Sequence, residues 1–320
     1  MERKFMSALA TPLTVFITLA ALVVALPWIM EALRRPMNER ARGDAPGAFA
    51  QLSAGNTHYQ WHGPRSTRIL VLVHGLSSPS WVFDGLIRGL LAMRYRVLSY
   101  DLYGRGFSDR PRDNQTLEFH ARQLGELLDA VGVQVPVTLM GYSMGGAIAS
   151  AFAAEEPDRV DRLILLAPAG VSYTPGRLLA TARDWGRLGN WLWGLLGGWQ
   201  LMRAARADAA KPTVIEDLPR RLRREIRRRG YLAAILSSER HALDRSHKAV
   251  HREIGAMYIP TLAIWAEKDA VIPVSSLGEF AAWNRQARQE VIEGADHALP
   301  HTHPKPVLAA IREFLREVPE

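Results

Sequence analysis

What most restricts the fold of this chain is a set of short apolar runs in which polar and apolar residues do not alternate. Ile69–Val73, Arg96–Tyr100, Val135–Met140, Leu163–Ala167, Leu262–Trp265 and Glu290–Ile292 are runs of this kind, rich in Val, Ile and Leu. A strand with one wet face alternates. One without alternation is expected to be buried on both faces, as in a parallel sheet covered by helices. Helical patterns at Leu117–Val131, Gly145–Glu155 and Pro306–Glu317 fall between and after the runs. Two earlier segments, Phe49–Ser53 and Thr57–His62, flank Ala54-Gly55-Asn56 and predict a hairpin. The expectation is an α/β fold, a mostly parallel eight-stranded sheet flanked by helices.

The strand–helix rhythm breaks once, between Ala167 and Thr261, where helical patterns dominate. A loop of that length without structure of its own is out of place in a compact domain. Residues 170–258 are therefore read as a helical cap inserted between the two parts of a core, 48–169 and 259–320. Within the cap Leu218, Leu222 and Ile226 recur at helical spacing, with Asp217 expected as N-cap and Pro219 in the first turn. Trp185, Trp191, Trp193 and Trp199 crowd together among Leu192, Leu195 and Leu196. Two readings stand: a cap core packed on itself, or a lid or acyl pocket facing lipid, since tryptophan suits membrane interfaces. Arg220, Arg221, Arg223, Arg224, Arg227, Arg228 and Arg229 likewise form either a solvated face or a surface for anionic headgroups.

From Phe5 to Met30 there is no charged residue, and Val15 to Leu26 is almost wholly apolar. Such a stretch is long enough for a hydrocarbon core of about 30 Å. The segment 5–30 is expected to be an uncleaved, single-pass transmembrane anchor with Trp28 at the interface, and 31–47, with Pro36, Gly43 and Pro46, a linker. A signal peptide and a buried helix are the alternatives, but the run is long for a signal peptide and ends in Leu-Pro-Trp-Ile-Met, without a small-x-small site. Arg3 and Lys4 precede the run while Arg34, Arg35, Arg40 and Arg42 follow it, which leaves the side of the catalytic domain open. The formal charge of +8 fits an anionic membrane surface, and no nucleic-acid-binding pattern accompanies it. With no cysteine, a disulfide scaffold, a Cys₄ zinc site, an iron–sulfur cluster and a cysteine nucleophile are excluded.

Gly141-Tyr142-Ser143-Met144-Gly145 is a Gly-x-Ser-x-Gly pattern set between an apolar run and an alanine-rich helical segment. A sharp strand-to-helix turn there would hold the serine strained and expose its hydroxyl at the sheet edge. At this point the chain resembles the α/β-hydrolase superfamily over most of 48–318. His74-Gly75-Leu76 looks like the family's oxyanion loop, and Asp101-Leu102-Tyr103-Gly104-Arg105-Gly106-Phe107-Ser108 is similar to its Asp-x-x-Gly-x-Gly-x-Ser turn. The family order of nucleophile, acid, base implies Ser143, then Asp269 after Leu262–Trp265, then His297 after the last strand. Glu267 and Asp296 fall off the matching positions, and Asp101 reads as a loop-shaping residue. His297, His301 and His303 make a His-x₃-His-x-His spacing too weak to predict a metal. The resemblance further implies the backbone N–H groups of Leu76 and Met144 as the oxyanion hole, and no cofactor.

The function expected is that of a serine esterase or lipase, similar to membrane-anchored monoacylglycerol lipases and carboxylesterases, working through an acyl-enzyme on small, hydrophobic or lipid-derived esters. Ser143 excludes the branches with an aspartate nucleophile. C–C bond hydrolases of the meta-cleavage type share the Ser143-Met144-Gly145-Gly146 run. They usually carry a tryptophan after the catalytic histidine and a Gly-Pro-Gly oxyanion loop, where this chain has Ala298 and Leu76-Ser77-Ser78. A tethered binding module without catalysis is the remaining alternative.

Overall fold

The computed structural model describes residues 2–243 and 245–318, and only the backbone of residues 2–13. The last two residues of the 259–320 segment and Asp244 of the 170–258 segment lie outside the described residues. One sheet runs through the molecule, built from β1 (Ala48–Leu52), β2 (Gly55–His62), β3 (Ile69–Val73), β4 (Arg96–Tyr100), β5 (Val137–Tyr142), β6 (Val160–Leu166), β7 (Thr261–Ala266) and β8 (Arg288–Ile292). The strand order is β1-β2-β4-β3-β5-β6-β7-β8. β2 is antiparallel to β1 and to β4, and all the other neighbours are parallel.

The helices are α1 (Glu2–Leu33), α2 (Glu39–Arg42), α3 (Asp84–Ala92), α4 (Leu117–Ala130), α5 (Met144–Glu155), α6 (Arg177–Asp184), α7 (Gly186–Ala209), α8 (Leu218–Ile226), α9 (Tyr231–His241), α10 (Lys248–Ala256), α11 (Ser276–Trp283), α12 (Leu299–Thr302) and α13 (Pro304–Glu317). Successive strand residues point to opposite faces. Val71, Leu139, Leu165 and Trp265 therefore pack with α4, α5 and α11, while Leu70, Met140, Ile164 and Leu262 pack with α3 and α13. Both faces are dry, which explains the unalternating runs.

Helices α6 to α10 fill the stretch between β6 and β7, with a hydrophobic cluster of their own built around Trp193, Leu218, Leu222, Tyr231 and Ile235. Asp217 does precede α8, but its side chain caps nothing. Its backbone is left-handed, with φ 54°, and its carboxylate lies 3.5 Å from Arg220. The arginine-rich segment divides: Arg221 pairs with Asp84, and Arg228 and Arg229 bond the carbonyls of Pro36 and Ala32. Arg220, Arg223, Arg224 and Arg227 stay exposed.

In α1 the 20 residues Thr14–Leu33 are long and apolar enough to cross a membrane, and their side chains are almost all outside the protein. The following segment is tied down, because Arg42 pairs with Asp109 and Arg35 forms a β-bridge with Arg228.

Candidate active site

Five loops leave the carboxyl ends of β3, β4, β5, β7 and β8, the edge where open α/β sheets place their ligands. Ser143 stands between β5 and α5 with φ 53° and ψ −120°, a backbone state that costs an L-residue energy. The turn closes because its glycines admit neighbouring backbone. A Cβ on Gly141 would lie 2.3 Å from the Gly145 carbonyl oxygen, and one on Gly145 would lie 2.0 Å from that of Val73. The Ser143 N–H donates to the Leu166 carbonyl at 2.9 Å, fixing the turn to β6.

The loops after β7 and β8 bring two more of the expected residues to this serine. His297 Nε2 is 3.0 Å from Ser143 Oγ, and His297 Nδ1 is 2.8 Å from Asp269 Oδ2. The buried Asp269 carboxylate is held on its other oxygen by the N–H groups of Val271 and Ile272, both at 2.8 Å. With Asp269 accepting at Nδ1, the imidazole presents Nε2 to the serine proton. Tyr142 steadies the ring from behind: its hydroxyl donates to the His297 carbonyl at 2.7 Å, and the two rings lie 5.3 Å apart.

The expected oxyanion donors flank the same point. Met144 opens α5, where the first N–H groups have no intrahelical acceptor. The Leu76 loop passes so close that a Cβ on Gly75 would sit 3.3 Å from Ser143 Cβ. Among the described residues the Leu76 N–H donates no hydrogen bond. His74 shapes this loop. Burial pulls its pKa down to about 4, so it is neutral. It accepts the Leu102 N–H at Nε2 (2.9 Å), so its Nδ1–H donates to the Gly75 carbonyl (2.8 Å).

Two further residues touch the loop that sequence reasoning did not assign. Arg105, wholly buried, donates from Nε to the Leu76 carbonyl at 3.0 Å and from its guanidinium to Ser238 of α9 at 2.8 Å. Burial lowers its pKa to about 10, which leaves it cationic near neutrality. The Tyr231 hydroxyl at the start of α9 donates to the Ser77 carbonyl at 2.6 Å. The position of Arg105 between two glycines of a motif was a signal for it. Tyr231 had none.

The other titratable groups are engaged elsewhere. Glu267 accepts from the Gly294 N–H, and Asp296 pairs with Lys211 and accepts from the Ala298 N–H. Asp101 accepts from Ser80, Phe107 and His58. Burial alone would raise its pKa, but the His58 bond and charge outweigh that and hold the carboxyl well below the usual range. A Cβ on Gly106 would lie 2.0 Å from this carboxylate, which explains the second glycine of the turn. His301 bonds Thr213, and His303 bonds Thr302. Among the described residues no cluster of His, Asp and Glu could hold a metal ion. A cavity of about 860 Å³ lies apart from the serine, between the end of α1 and α9, with Trp28, Arg34, Trp193 and Arg240 on its walls. The hydrogen-bonded array at Ser143 stands apart from this hollow.

The α/β-hydrolase fold (Abhydrolase_1) family model matches residues 68–304. A 2-hydroxymuconate semialdehyde hydrolase from a Pseudomonas species is 28% identical over 282 residues, covering 86% of this chain and 96% of that protein. A monoacylglycerol lipase of Xenopus laevis is 22% identical over 267 residues, with 79% and 76% covered. A thermophilic esterase from Thermogutta terrifontis superposes with a TM-score of 0.67 at 25% identity, covering 86% of this chain and 99% of the esterase.

Proposed function

Since this chain belongs to the alpha/beta hydrolase family, we propose that it is a membrane-tethered serine hydrolase cleaving carboxylic esters of hydrophobic, lipid-derived acids. One observation carries the reading: Ser143 Oγ, His297 and Asp269 form an unbroken hydrogen-bonded series at 3.0 and 2.8 Å. Ser143 Oγ attacks the acyl carbon as His297 Nε2 takes its proton. The tetrahedral oxyanion turns toward the N–H groups of Leu76 and Met144, each such donor being worth about 2.7–4 kcal/mol in the transition state. The imidazolium, stabilised by Asp269, returns the proton to the leaving alcohol. His297 then deprotonates a water that releases the acid and restores Ser143. The chain's own groups perform every proton transfer.

C–C bond hydrolysis is the second reading, favoured by the 28% identity to the semialdehyde hydrolase and by the Ser143-Met144-Gly145-Gly146 run. Ala298 and Leu76-Ser77-Ser78 weigh against it, and the apolar α1 favours a substrate that partitions into a membrane.

The full chain in detergent, treated with a fluorophosphonate probe and p-nitrophenyl esters from acetate to palmitate, tests the proposal. Labelling and turnover that rise with chain length and vanish in Ser143→Ala are expected. Labelling without turnover of any ester moves the C–C reading forward. A folded protein that takes no label leaves the binding module.

A further inference from the structure

We propose that the outer face of α7 lies in the membrane interface beside α1, so that the cap is itself a membrane-contacting surface and not only a cover for the active site. This deepens the membrane-tethered reading above and rests on its anchor.

The argument begins with Pro27, inside the apolar run. Proline has no N–H, so the carbonyl four residues earlier, that of Val23, loses its helical donor. In apolar surroundings an orphaned carbonyl must be satisfied by a neighbouring element. The indole Nε1–H of Trp191, on α7, donates to the Val23 carbonyl at 3.2 Å and to that of Val24 at 3.0 Å. The two helices meet closely there: a Cβ on Gly194 would lie 2.9 Å from Pro27 Cβ. The cap helix therefore completes the backbone of the anchor at its proline.

The depth of that contact follows from lengths. The uncharged stretch 5–30 has 26 residues, a helix of about 39 Å, against a hydrocarbon core of about 30 Å. Glu31, which accepts from the Arg34 guanidinium and from the Gly230 N–H, marks a polar level just beyond it. Shared between the two ends, the excess of about 9 Å leaves three or so residues of the stretch in each interface, so Val23–Pro27, with Trp191 and Gly194, lies within about 7 Å of the hydrocarbon boundary.

The outward side chains of α7 suit that level. Trp185, at its start, is 56% exposed, Leu188 56% and Trp199 61%, and Val24 and Trp28 of α1 are exposed as well. Interleaved with them are exposed Arg187, Arg203 and Arg206, and the Arg203 guanidinium lies over the Trp199 ring at 5.7 Å. Aromatic and aliphatic residues mixed with arginine form the composition of a helix lying in headgroups. The four tryptophans consequently divide: Trp193 is core, Trp191 serves the anchor, and Trp185 and Trp199 face the bilayer.

The chain has no cysteine, so single introduced thiols give clean probes. The full chain carrying Leu188→Cys, Trp199→Cys, Leu19→Cys or Asp129→Cys is labelled with nitrobenzoxadiazole. Each is then reconstituted in vesicles of phosphatidylcholine with phosphatidylglycerol, containing lipids with a nitroxide at acyl carbon 5 or 12. Asp129 is on α4, far along the chain from both apolar helices. The expected result is quenching of the 188 and 199 labels at least threefold stronger than at 129 and greatest with the shallow nitroxide, and deep quenching at 19. Labels at 188 and 199 quenched no more than that at 129, with 19 quenched, overturn the inference and leave the anchor intact. If 19 also escapes quenching, the anchor reading fails and takes the inference with it. Apolar but unquenched labels at 188 and 199 in particles of two chains would overturn it in favour of a second copy.

Discussion

At the carboxyl edge of the sheet the side chains around Ser143 have their partners inside the fold: Asp269 accepts two N–H groups besides the His297 ring, and His74 is bonded at both nitrogens. On the outer face of α7, Trp185, Leu188 and Trp199 stand open beside unpaired stretches of α1. The first region is complete as drawn, because rigid strands set its loops. The second becomes complete only with something apolar against it. On the functions proposed, one chain separates a fixed reaction centre from a surface for the membrane, and the separation can be tested from both sides.

The largest effect is expected at the orienting carboxylate. Asp269→Asn keeps the shape but offers an amide to Nδ1, favouring the wrong tautomer, and kcat for an ester should fall by about 10⁴. Glu267→Gln and Asp296→Asn should change kcat by no more than a few-fold, since each is bonded away from His297. A loss at Asp296 equal to that at Asp269 would mean that the Lys211 pair, which joins the insertion to the histidine loop, is part of the reaction centre after all.

Trp191→Phe comes next. It keeps an aromatic body but removes the donor to the Val23 carbonyl, which in apolar surroundings leaves that acceptor unsatisfied at a cost of about 1–3 kcal/mol. Denaturant unfolding in detergent should show that loss while turnover of a soluble ester stays within twofold. A drop in turnover without loss of stability would tie the anchor to the reaction centre more directly than the geometry does.

Tyr231→Phe probes the crossing between the two regions. Its hydroxyl holds the Ser77 carbonyl, next to the proposed oxyanion donor, so its loss should lower kcat about tenfold with KM little changed. This is a fraction of the effect of deleting a donor itself. A change confined to KM would show that Tyr231 shapes the substrate path and not the oxyanion loop.

The two regions also differ in how far the sequence revealed them. Strands and the Ser143 turn were legible because burial on both faces and close backbone contact restrict residue types locally. β5 begins and ends two residues later than expected, at Val137 and Tyr142, and β6 begins three residues earlier, at Val160, and ends one earlier, at Leu166. That Ser143, Asp269 and His297 would meet was legible because each follows a strand at a short offset. The insertion was legible as helical and little more. α7 carries five glycines in 24 residues, a poor helix by propensity, and their reason lies in distant neighbours such as Pro27 beside Gly194 and the Ala182 carbonyl beside Gly189. The Asp217 side chain failed as a cap because the incoming chain is left-handed there, a fact set by tertiary packing.

The smallest effect lies where the insertion rejoins the core. His251 of α10 is buried between the rings of Phe280 and Trp283, and neither ring nitrogen has a hydrogen-bond partner. Burial pulls its pKa down to about 3. A histidine lowered on folding takes up its proton first in the unfolded state, at about pH 6.5. Stability therefore falls as pH drops from there toward the folded value, by at most about 1.4 kcal/mol per pH unit. His251→Phe removes that slope while filling the same aromatic site. Compared with wild type, the variant should gain about 1 kcal/mol at pH 5.5 relative to pH 7.5 in denaturant unfolding. His74, with a folded pKa of about 4, imposes the same sign of slope. Its bonds to Gly75 and Leu102 mean that replacing it would also disturb the loop beside Ser143, whereas His251 can be replaced without touching that site. If His251→Phe leaves the pH profile unchanged, the acid-sensitive groups are the other buried histidines whose pKa burial lowers, His74 beside Ser143 and His120 and His247 outside it, and replacing His247 in turn separates the two places.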